Sequence, residues 1–182
     1  LGDVYKRQML SLDLVDKGVV TNQIVLTVGY DKESLADGHY TGEVVCDHYG
    51  RKIPKHAHGT ANLSRYTASV ALATQAVTRL YDDIVDKRLL SRRINITANH
   101  VITEKEAVNK NSSYHQMDLF TDFINKDDNE EESAKLEKEK KVLKTMVDIK
   151  KKYGKNAIVR GMNLKEGATA MDRNRQIGGH HE

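Results

Sequence analysis

Cysteine and histidine side chains gather between residues 46 and 58, in a spacing that suggests metal binding. The side chains are Cys46, His48, His56 and His58. Zinc takes four such ligands in a tetrahedral arrangement, and two local pairs separated by a loop are one way to supply them. The spacing matches no common finger or ribbon, however, and Pro54-Lys55 beside His56 is more typical of a loop near an anion. A small metal-binding domain therefore stays an alternative, and we assign no metal ligand.

Three carboxylates, Asp82, Asp83 and Asp86, are close enough in the sequence to suggest a magnesium site. The segment that carries them is predicted to be helical, and there they face away from its apolar stripe, as solvated carboxylates do. The sequence contains no glycine-rich phosphate loop, no nucleophile elbow and no histidine–glutamate zinc motif. We therefore assign no catalytic residue.

Basic side chains are more informative. Between residues 61 and 105, seven Lys or Arg stand against four Asp or Glu. Arg92 and Arg93 at the start of a predicted strand, together with Arg65 and the loop at residues 55–58, are suited to following a phosphate backbone. A merely basic surface explains the same composition equally well.

One short segment, Gln116-Met117-Asp118-Leu119-Phe120, stands between two polar stretches. A glutamine followed by a Leu-Phe pair in such a setting is suited to a docking peptide, since the apolar pair can fill a pocket while the amide makes directed hydrogen bonds. Taken alone, five residues recur by chance, and a local hydrophobic turn is the simpler interpretation.

The composition restricts the class of protein. The 182 residues suit one ordinary domain plus a tail, with 38% hydrophobic and 30% charged residues. No run of about twenty apolar residues is present to span a bilayer, and no signal-peptide pattern is seen. The single cysteine excludes an internal disulfide framework and fits a reducing compartment, so we expect a cytoplasmic protein. The net charge of +3 is too small to identify a nucleic-acid partner.

Patterned apolar residues before residue 105 predict an antiparallel sheet with helices on one face, an α+β fold. The predicted strands are Gln23 to Tyr30, Thr60 to Tyr66 and Arg92 to Ile102, and the best-defined helix carries the stripe from Val70 to Ile84 with Thr67 or Ser69 as its cap. Met9 to Val15 alternates like a strand, yet the following Lys17-Gly18 is typical of a helix end. Residues 31–53 predict a loop or loose hairpin.

The polar tail predicts one long helix, Ser133 to Tyr153, ended by Gly154. Its apolar face would comprise Leu136, Leu143, Met146, Val147, Lys150 and Tyr153. Nine Lys and eight Asp or Glu between residues 126 and 152 nearly cancel, which favours a solvated helix. A non-enzymatic protein that pairs this helix with a partner chain is a second alternative. Ala157 to Val159 predicts a short strand.

Several motifs follow one another in the order found in a known family. They are LDLVDKG (12–18), QIVLTVGYD (23–31), PKHAHGT (54–60), RRI (92–94) and RNRQIGGH (173–180). Through them, Met9 to His180 resembles the little finger and tail of Y-family (translesion) DNA polymerases of the ImpB/MucB/SamB type. The resemblance implies a helix at Met9 to Val15 and a four-stranded antiparallel sheet with two helices on one face, whose first strand is expected to be missing here.

The resemblance also implies a function in DNA repair, translesion synthesis and the SOS response. In that family the sheet rests in the DNA major groove and holds duplex template-primer DNA through its phosphates. The DNA-binding candidates carried over are His56, His58, Thr60, Arg65, Arg92 and Arg93. The segment Gln116 to Phe120, including Met117, Asp118 and Leu119, resembles the peptide with which the family binds the sliding clamp.

The resemblance implies four segments: an unassigned start at 1–8, a DNA-binding domain at 9–105, a linker with the clamp peptide at 106–132, and a helix with a family-specific tail at 133–182. Polymerase chemistry in the family requires palm-domain carboxylates with two magnesium ions. This sequence contains no palm, so we expect it to be a detached part of a polymerase that binds DNA without catalysing, and we expect no cofactor in this chain.

Overall fold

The computed structural model describes residues 2–36, 38–113, 126–159, 161–164, 166 and 170–175. An antiparallel sheet, helices packed against it and a long C-terminal helix give the α+β fold that the sequence predicts. The helices are α1 (Gly2–Asp16), α2 (Val70–Ile84), α3 (Glu104–Ser113), α4 (Lys126–Tyr153) and α5 (Ala170–Arg175). The strands are β1 (Val19–Tyr30), β2 (Val44–Cys46), β3 (Lys52–Pro54), β4 (Ala57–Thr67), β5 (Ser91–Asn99) and β6 (Ile102–Thr103).

Strand β1 is the centre of the main sheet, because β4 pairs with one of its edges and β5 with the other, both antiparallel. Midway along the sheet, Leu26 lies opposite Gly59 on β4 and Ile96 on β5. The short strand β6 pairs with β1 in the register of β5, with Val20 opposite Ile102, and so continues β5 after a break. Within the described residues the main sheet therefore has three long strands and one short extension.

Alternate residues of β1 build the hydrophobic core beneath α2. Ile24, Leu26 and Val28 are buried and pack against Ala73 and Val77 of the helix. The period of two along the strand is the one expected for a sheet covered on a single face. The apolar stripe of α2 meets it at three- and four-residue spacing, as the sequence predicts. The intervening residues of β1 consequently point to the opposite face of the sheet.

Helix α2 approaches β4 closely at Gly59. A β-carbon at this position would lie 2.9 Å from Leu80 Cδ1 and 3.1 Å from Ile84 Cδ1. The absence of a side chain at Gly59 therefore sets the distance between the helix and the sheet.

The C-terminal helix joins the fold at the start of α2. Ser69 caps α2, as predicted for Thr67 or Ser69, because its hydroxyl accepts a hydrogen bond from Leu72 N at 3.2 Å. The same hydroxyl donates to the carboxylate of Glu139 on α4, which also accepts from Ala71 N at 3.1 Å. A carboxylate at a helix N-terminus satisfies free N–H groups and is favoured by the helix dipole. Helix α4 thus completes the cap of α2.

Helix α4 packs along one edge rather than standing in solvent. Leu143 and Val147 are buried in a small cluster with Leu12 of α1 and Val70 of α2. Tyr153, predicted to share the apolar face, is 67% exposed at the end of the helix. Between residues 133 and 153, most charged side chains of the helix are exposed, so the prediction of a solvated helix holds there for the part of the helix surface that does not contact α1 and α2.

Helix α1 settles the ambiguous segment near the start of the chain. Met9 to Val15 is helical, as the resemblance implies and against the strand-like alternation. The helix begins at Gly2 and so includes most of the segment at 1–8 that the sequence left unassigned. Its contacts with α2, α4 and the sheet explain the result, since Leu12 and Leu14 are both buried.

Two further predictions differ from the structure. Helix α4 begins at Lys126, ahead of the predicted Ser133. The segment Ala157 to Val159 is not a strand: Gly154 ends α4 with a φ of +94°, and Ala157 N then donates to the Gly154 carbonyl at 3.0 Å in a turn.

The region predicted as a loop or loose hairpin contains both elements. A 3-10 turn, Lys32–Leu35, follows β1, and β2 then pairs with β3 in a hairpin with Val45 opposite Ile53. Of the helices that the structure describes, none combines the length and the apolar character needed to cross a membrane.

Candidate nucleic-acid interface

The face of the sheet opposite α2 is polar. We call it the open face, and its residues are Gln23, Val25, Thr27 and Gly29 of β1, His58, Thr60 and Asn62 of β4, and Arg93, Asn95, Thr97 and Asn99 of β5. The β4 and β5 members are all exposed. The set contains hydroxyls, amides, one imidazole and one guanidinium but no carboxylate. Such donors bind phosphate and sugar oxygens, and no like charge is present to repel them.

A row of amides crosses the three strands at one end of the open face. Asn99 Nδ2 donates to Gln23 Oε1 at 3.1 Å, and Gln23 Nε2 donates to Asn62 Oδ1 at 2.9 Å. Each side-chain amide has two N–H donors, so this row uses only part of its donor capacity. The remaining N–H groups are available to a ligand on the open face.

A second row carries the predicted histidines and Thr60. Thr27 Oγ1 lies 3.0 Å from His58 Nδ1, which holds that imidazole on the open face, and Thr60 lies next to it on the same face. His56 is exposed just before β4, with its ring centroid 6.3 Å from that of His58 in an edge-to-face arrangement. The structure therefore brings these three predicted residues together.

The two arginines of β5 lie at the end of the sheet where β1 stops. Arg93 is on the open face beside Gly29. The register shifts after Gly29, and Arg92 lies next to Asp31, with Nε 3.8 Å from the carboxylate oxygen. Both guanidinium groups belong to exposed residues, so this end of the sheet is cationic.

Arg65 does not share the open face, because the alternation along β4 places it on the side of Gly59 and Leu63, which faces α2. Gln23 pairs with Asn62, but Thr21 pairs with Thr67, so β4 inserts extra residues at this point. Arg65 is half-buried and lines a cleft of about 270 Å³ between β4, α3 and α4, together with Glu104. The structure therefore does not group Arg65 with the open-face residues, and its part in DNA binding stays a prediction.

Two of the three carboxylates near the end of α2, Asp82 and Asp86, are paired with cations. Lys87 Nζ lies 2.6 Å from Asp82, and Arg88 forms two side-chain hydrogen bonds with Asp86. The Arg88 side chain, helped by the Arg88 backbone N–H, lowers the pKa of Asp86 to about 2. Carboxylates paired in this way do not fit a two-magnesium site, and we derive no reaction step from them.

The cysteine and histidines near the hairpin have separate surroundings in the structure. Cys46 is exposed on β2, His48 contacts the Tyr49 ring, and His58 is bound to Thr27. Across the described ranges, no three His, Cys, Asp or Glu side chains are grouped so as to hold a metal ion.

Sequence reasoning selected Thr60 but missed the amides of the open face and its other two threonines, Thr27 and Thr97. Gln23, Asn62 and Asn99 carry no charge, and each appears in the sequence only as the polar member of an alternating strand. The signal was present in the alternation at 58–62 and 93–99, but only strand pairing shows that the two sets share a face. The proposed clamp peptide, Gln116 to Phe120, lies outside the described residues.

No family model, curated protein or solved structure matches the chain. The function is therefore inferred from the sequence motifs and from the chemistry of the open face.

Proposed function

We propose that this chain is the DNA-binding, C-terminal part of a translesion DNA polymerase, and that its open face holds duplex template-primer DNA through the phosphates. The observation that carries the proposal is the open face itself, where three strands present uncharged donors and Arg93 without any carboxylate. The family resemblance of the sequence motifs supports it and supplies the polymerase context.

The size of the open face suits a DNA groove. Neighbouring strands lie about 4.8 Å apart, so the outer strands are separated by about 10 Å, and the major groove of B-DNA is about 12 Å wide. Side chains of β4 and β5 would then reach the phosphates on the two sides of the groove. Hydroxyl and amide groups donate to phosphate oxygens whatever the base sequence, so the binding would be independent of sequence.

Salt dependence tests the proposal. With about two to three phosphates neutralised, the logarithm of the affinity should fall with the logarithm of the salt concentration at a slope of about −2 to −3. Fluorescence anisotropy with a labelled duplex at several salt concentrations measures this slope. The double variant Arg92→Ala, Arg93→Ala should flatten the slope by about one to two units.

Arg79 provides the matched control, because it is an exposed arginine on α2, on the covered side of the sheet. Arg79→Ala removes one positive charge, as the single variant Arg93→Ala does, but should leave the slope unchanged. Absence of duplex binding at low salt, or equal effects of the two sets of substitutions, would refute binding through the open face.

We also propose that Gln116 to Phe120 docks the chain to the sliding clamp, on the basis of its sequence alone. Leu119→Ala with Phe120→Ala should abolish co-purification with the clamp. Phe123→Ala with Ile124→Ala removes similar apolar groups just outside the peptide and serves as the control. Retained binding in the first variant, or loss in both, would refute the assignment.

The alternative of a helical interaction protein is less well supported. It needs the apolar edge of α4 to meet a partner chain, whereas Leu143 and Val147 pack within this chain. Helicity that rises with protein concentration would favour the alternative over the DNA-binding proposal.

A further inference from the structure

The tip of the β2–β3 hairpin is held in a single conformation by Asp47. Its carboxylate accepts hydrogen bonds from Tyr49 N and Arg51 N, each at 2.9 Å, and from Arg51 Nε at 2.7 Å. Gly50 supplies the positive φ of +74° that the turn requires. The side-chain hydrogen bond with Asp47 raises the pKa of Arg51 and lowers that of Asp47, so the pair stays charged. The hairpin tip is thus a rigid structure.

The rigid tip displays an aromatic ring. Tyr49 is 77% exposed, although most tyrosines bury much of the ring. The Arg51 guanidinium carbon lies 5.0 Å from the ring centroid, and the His48 ring lies edge-to-face at 5.4 Å. These two neighbours restrict the ring while leaving most of its surface free. Because the Tyr49 ring is already restricted, stacking a flat ligand on it would cost the protein little further side-chain entropy.

The hairpin lies at the cationic end of the open face. Strand β3 contacts β1 and the 3-10 turn that follows it. Asp31 links the two regions, because its carboxylate pairs with Arg92 and also acts electrostatically on Arg51. With Arg93 nearby on β5, three guanidinium groups lie at this end of the sheet. Arg51 pairs with Asp47 and Arg92 with Asp31, so these five groups together leave one positive charge, that of Arg93.

We propose that Tyr49 stacks on an unpaired nucleotide at the junction between the duplex and its single-stranded extension, while Arg51 and Arg92 face the adjoining phosphates. Aromatic stacking beside a cationic surface is the usual way in which proteins bind unpaired bases without reading their sequence. The inference rests on the proposed function, because it places the junction next to the duplex on the open face. The charge around the tip favours a polyanion over a protein surface as the ligand.

The test compares two labelled DNA probes, a blunt duplex and the same duplex with a single-stranded 5′ extension, at constant salt. Tyr49→Ala should weaken binding of the extended probe by about 5-fold to 100-fold, as expected for loss of one stacked base, and leave the blunt duplex unchanged. Tyr49→Phe keeps the ring and should bind both probes like the original chain. Tyr153→Ala is the matched control, since Tyr153 is also exposed and lies under a cation, with Lys152 Nζ 5.1 Å from its ring.

The outcomes separate this inference from the proposed function. If the unaltered chain binds the blunt duplex but Tyr49→Ala does not weaken the extended probe, the stacking role is wrong while duplex binding stands. The stacking role would also be overturned if Tyr49→Ala lost the same affinity for both probes. An equal loss of affinity for the extended probe in Tyr153→Ala or in Tyr49→Phe would overturn it as well. If the unaltered chain binds neither probe, both proposals fail.

Discussion

Replacing Leu143 by alanine tests whether the C-terminal helix is part of the folded domain. Leu143 is 4% exposed and contacts the cluster formed by α1, α2 and α4. Leucine-to-alanine changes in cores cost about 2–5 kcal/mol, and the cost is lower where the site can collapse or admit water. Leu143 lines the cleft of about 270 Å³ beside α3, so its surroundings can relax. We therefore expect the free energy of unfolding to fall by about 2–3 kcal/mol.

Val142 gives a control one residue away on the same helix. It is 58% exposed, so Val142→Ala should change the free energy of unfolding by less than about 0.5 kcal/mol. Urea denaturation followed by circular dichroism gives both values from the midpoint and the slope. If Leu143→Ala and Val142→Ala agree within about 0.5 kcal/mol, α4 is not docked in solution and the described packing is wrong. A smaller slope in Leu143→Ala would indicate that α4 has detached in the native state.

Three other substitutions test separate parts of the structure. Gly59→Ala should lower the free energy of unfolding by about 1–2 kcal/mol in the same urea assay, because the new methyl group overlaps side chains of α2. The pair of Asp86 and Arg88 should make the stability of the protein depend on pH. The pKa of Asp86 is lowered from 3.8 to about 2. The pair therefore stabilises the protein above pH 3.8, and this contribution disappears as the pH falls to about 2. The urea midpoints of Arg88→Ala and the unaltered chain should therefore differ at pH 7 and converge near pH 2. Arg65→Ala should leave duplex affinity within about two-fold, since the alternation of β4 places Arg65 on the side opposite the open face. A loss as large as that of Arg93→Ala would contradict this placement.

Local patterns were sufficient to predict the elements that make up the sheet domain. The stripe from Val70 to Ile84 is long and strongly periodic, and Ser69 is a favoured capping residue, so the helix and its start were both predictable. The strand at Gln23 to Tyr30 was predictable from its composition, because β-branched residues are frequent in it. Only its full length, which begins at Val19, was underestimated.

The segment at Met9 to Val15 shows where local patterns were misleading. Alternating leucines predict a strand that packs through one of its faces against a single layer of the protein. Helix α1, however, contacts the sheet, α2 and α4, and a helix contacted from several directions buries residues that a single amphipathic stripe would not include. Leu12 and Leu14 are both buried for this reason.

The docking of α4 could not be read from its composition. Balanced charges describe the average surface of a helix, whereas docking depends on a few positions, namely Leu143, Val147 and Glu139. The contact of Glu139 with the start of α2 joins residues about seventy positions apart, and no local pattern signals it.

The open face shows most clearly why the candidate site was only partly predictable. Charge selected Arg65, Arg92 and Arg93 alike, but only Arg93 lies on the open face, whereas Arg92 lies beside Asp31 after the register shift. Apart from Thr60 and the histidines, the uncharged donors were overlooked, although a phosphate-binding surface needs directed N–H and O–H groups as much as net charge. Which residues share a face is decided by the alternation and pairing of the strands, and Arg65 alternates with the exposed Ser64 onto the side of β4 that carries Leu63. Strand pairing therefore decides which residues belong to a binding surface on a sheet. Charge alone selects residues on that surface together with residues beside it.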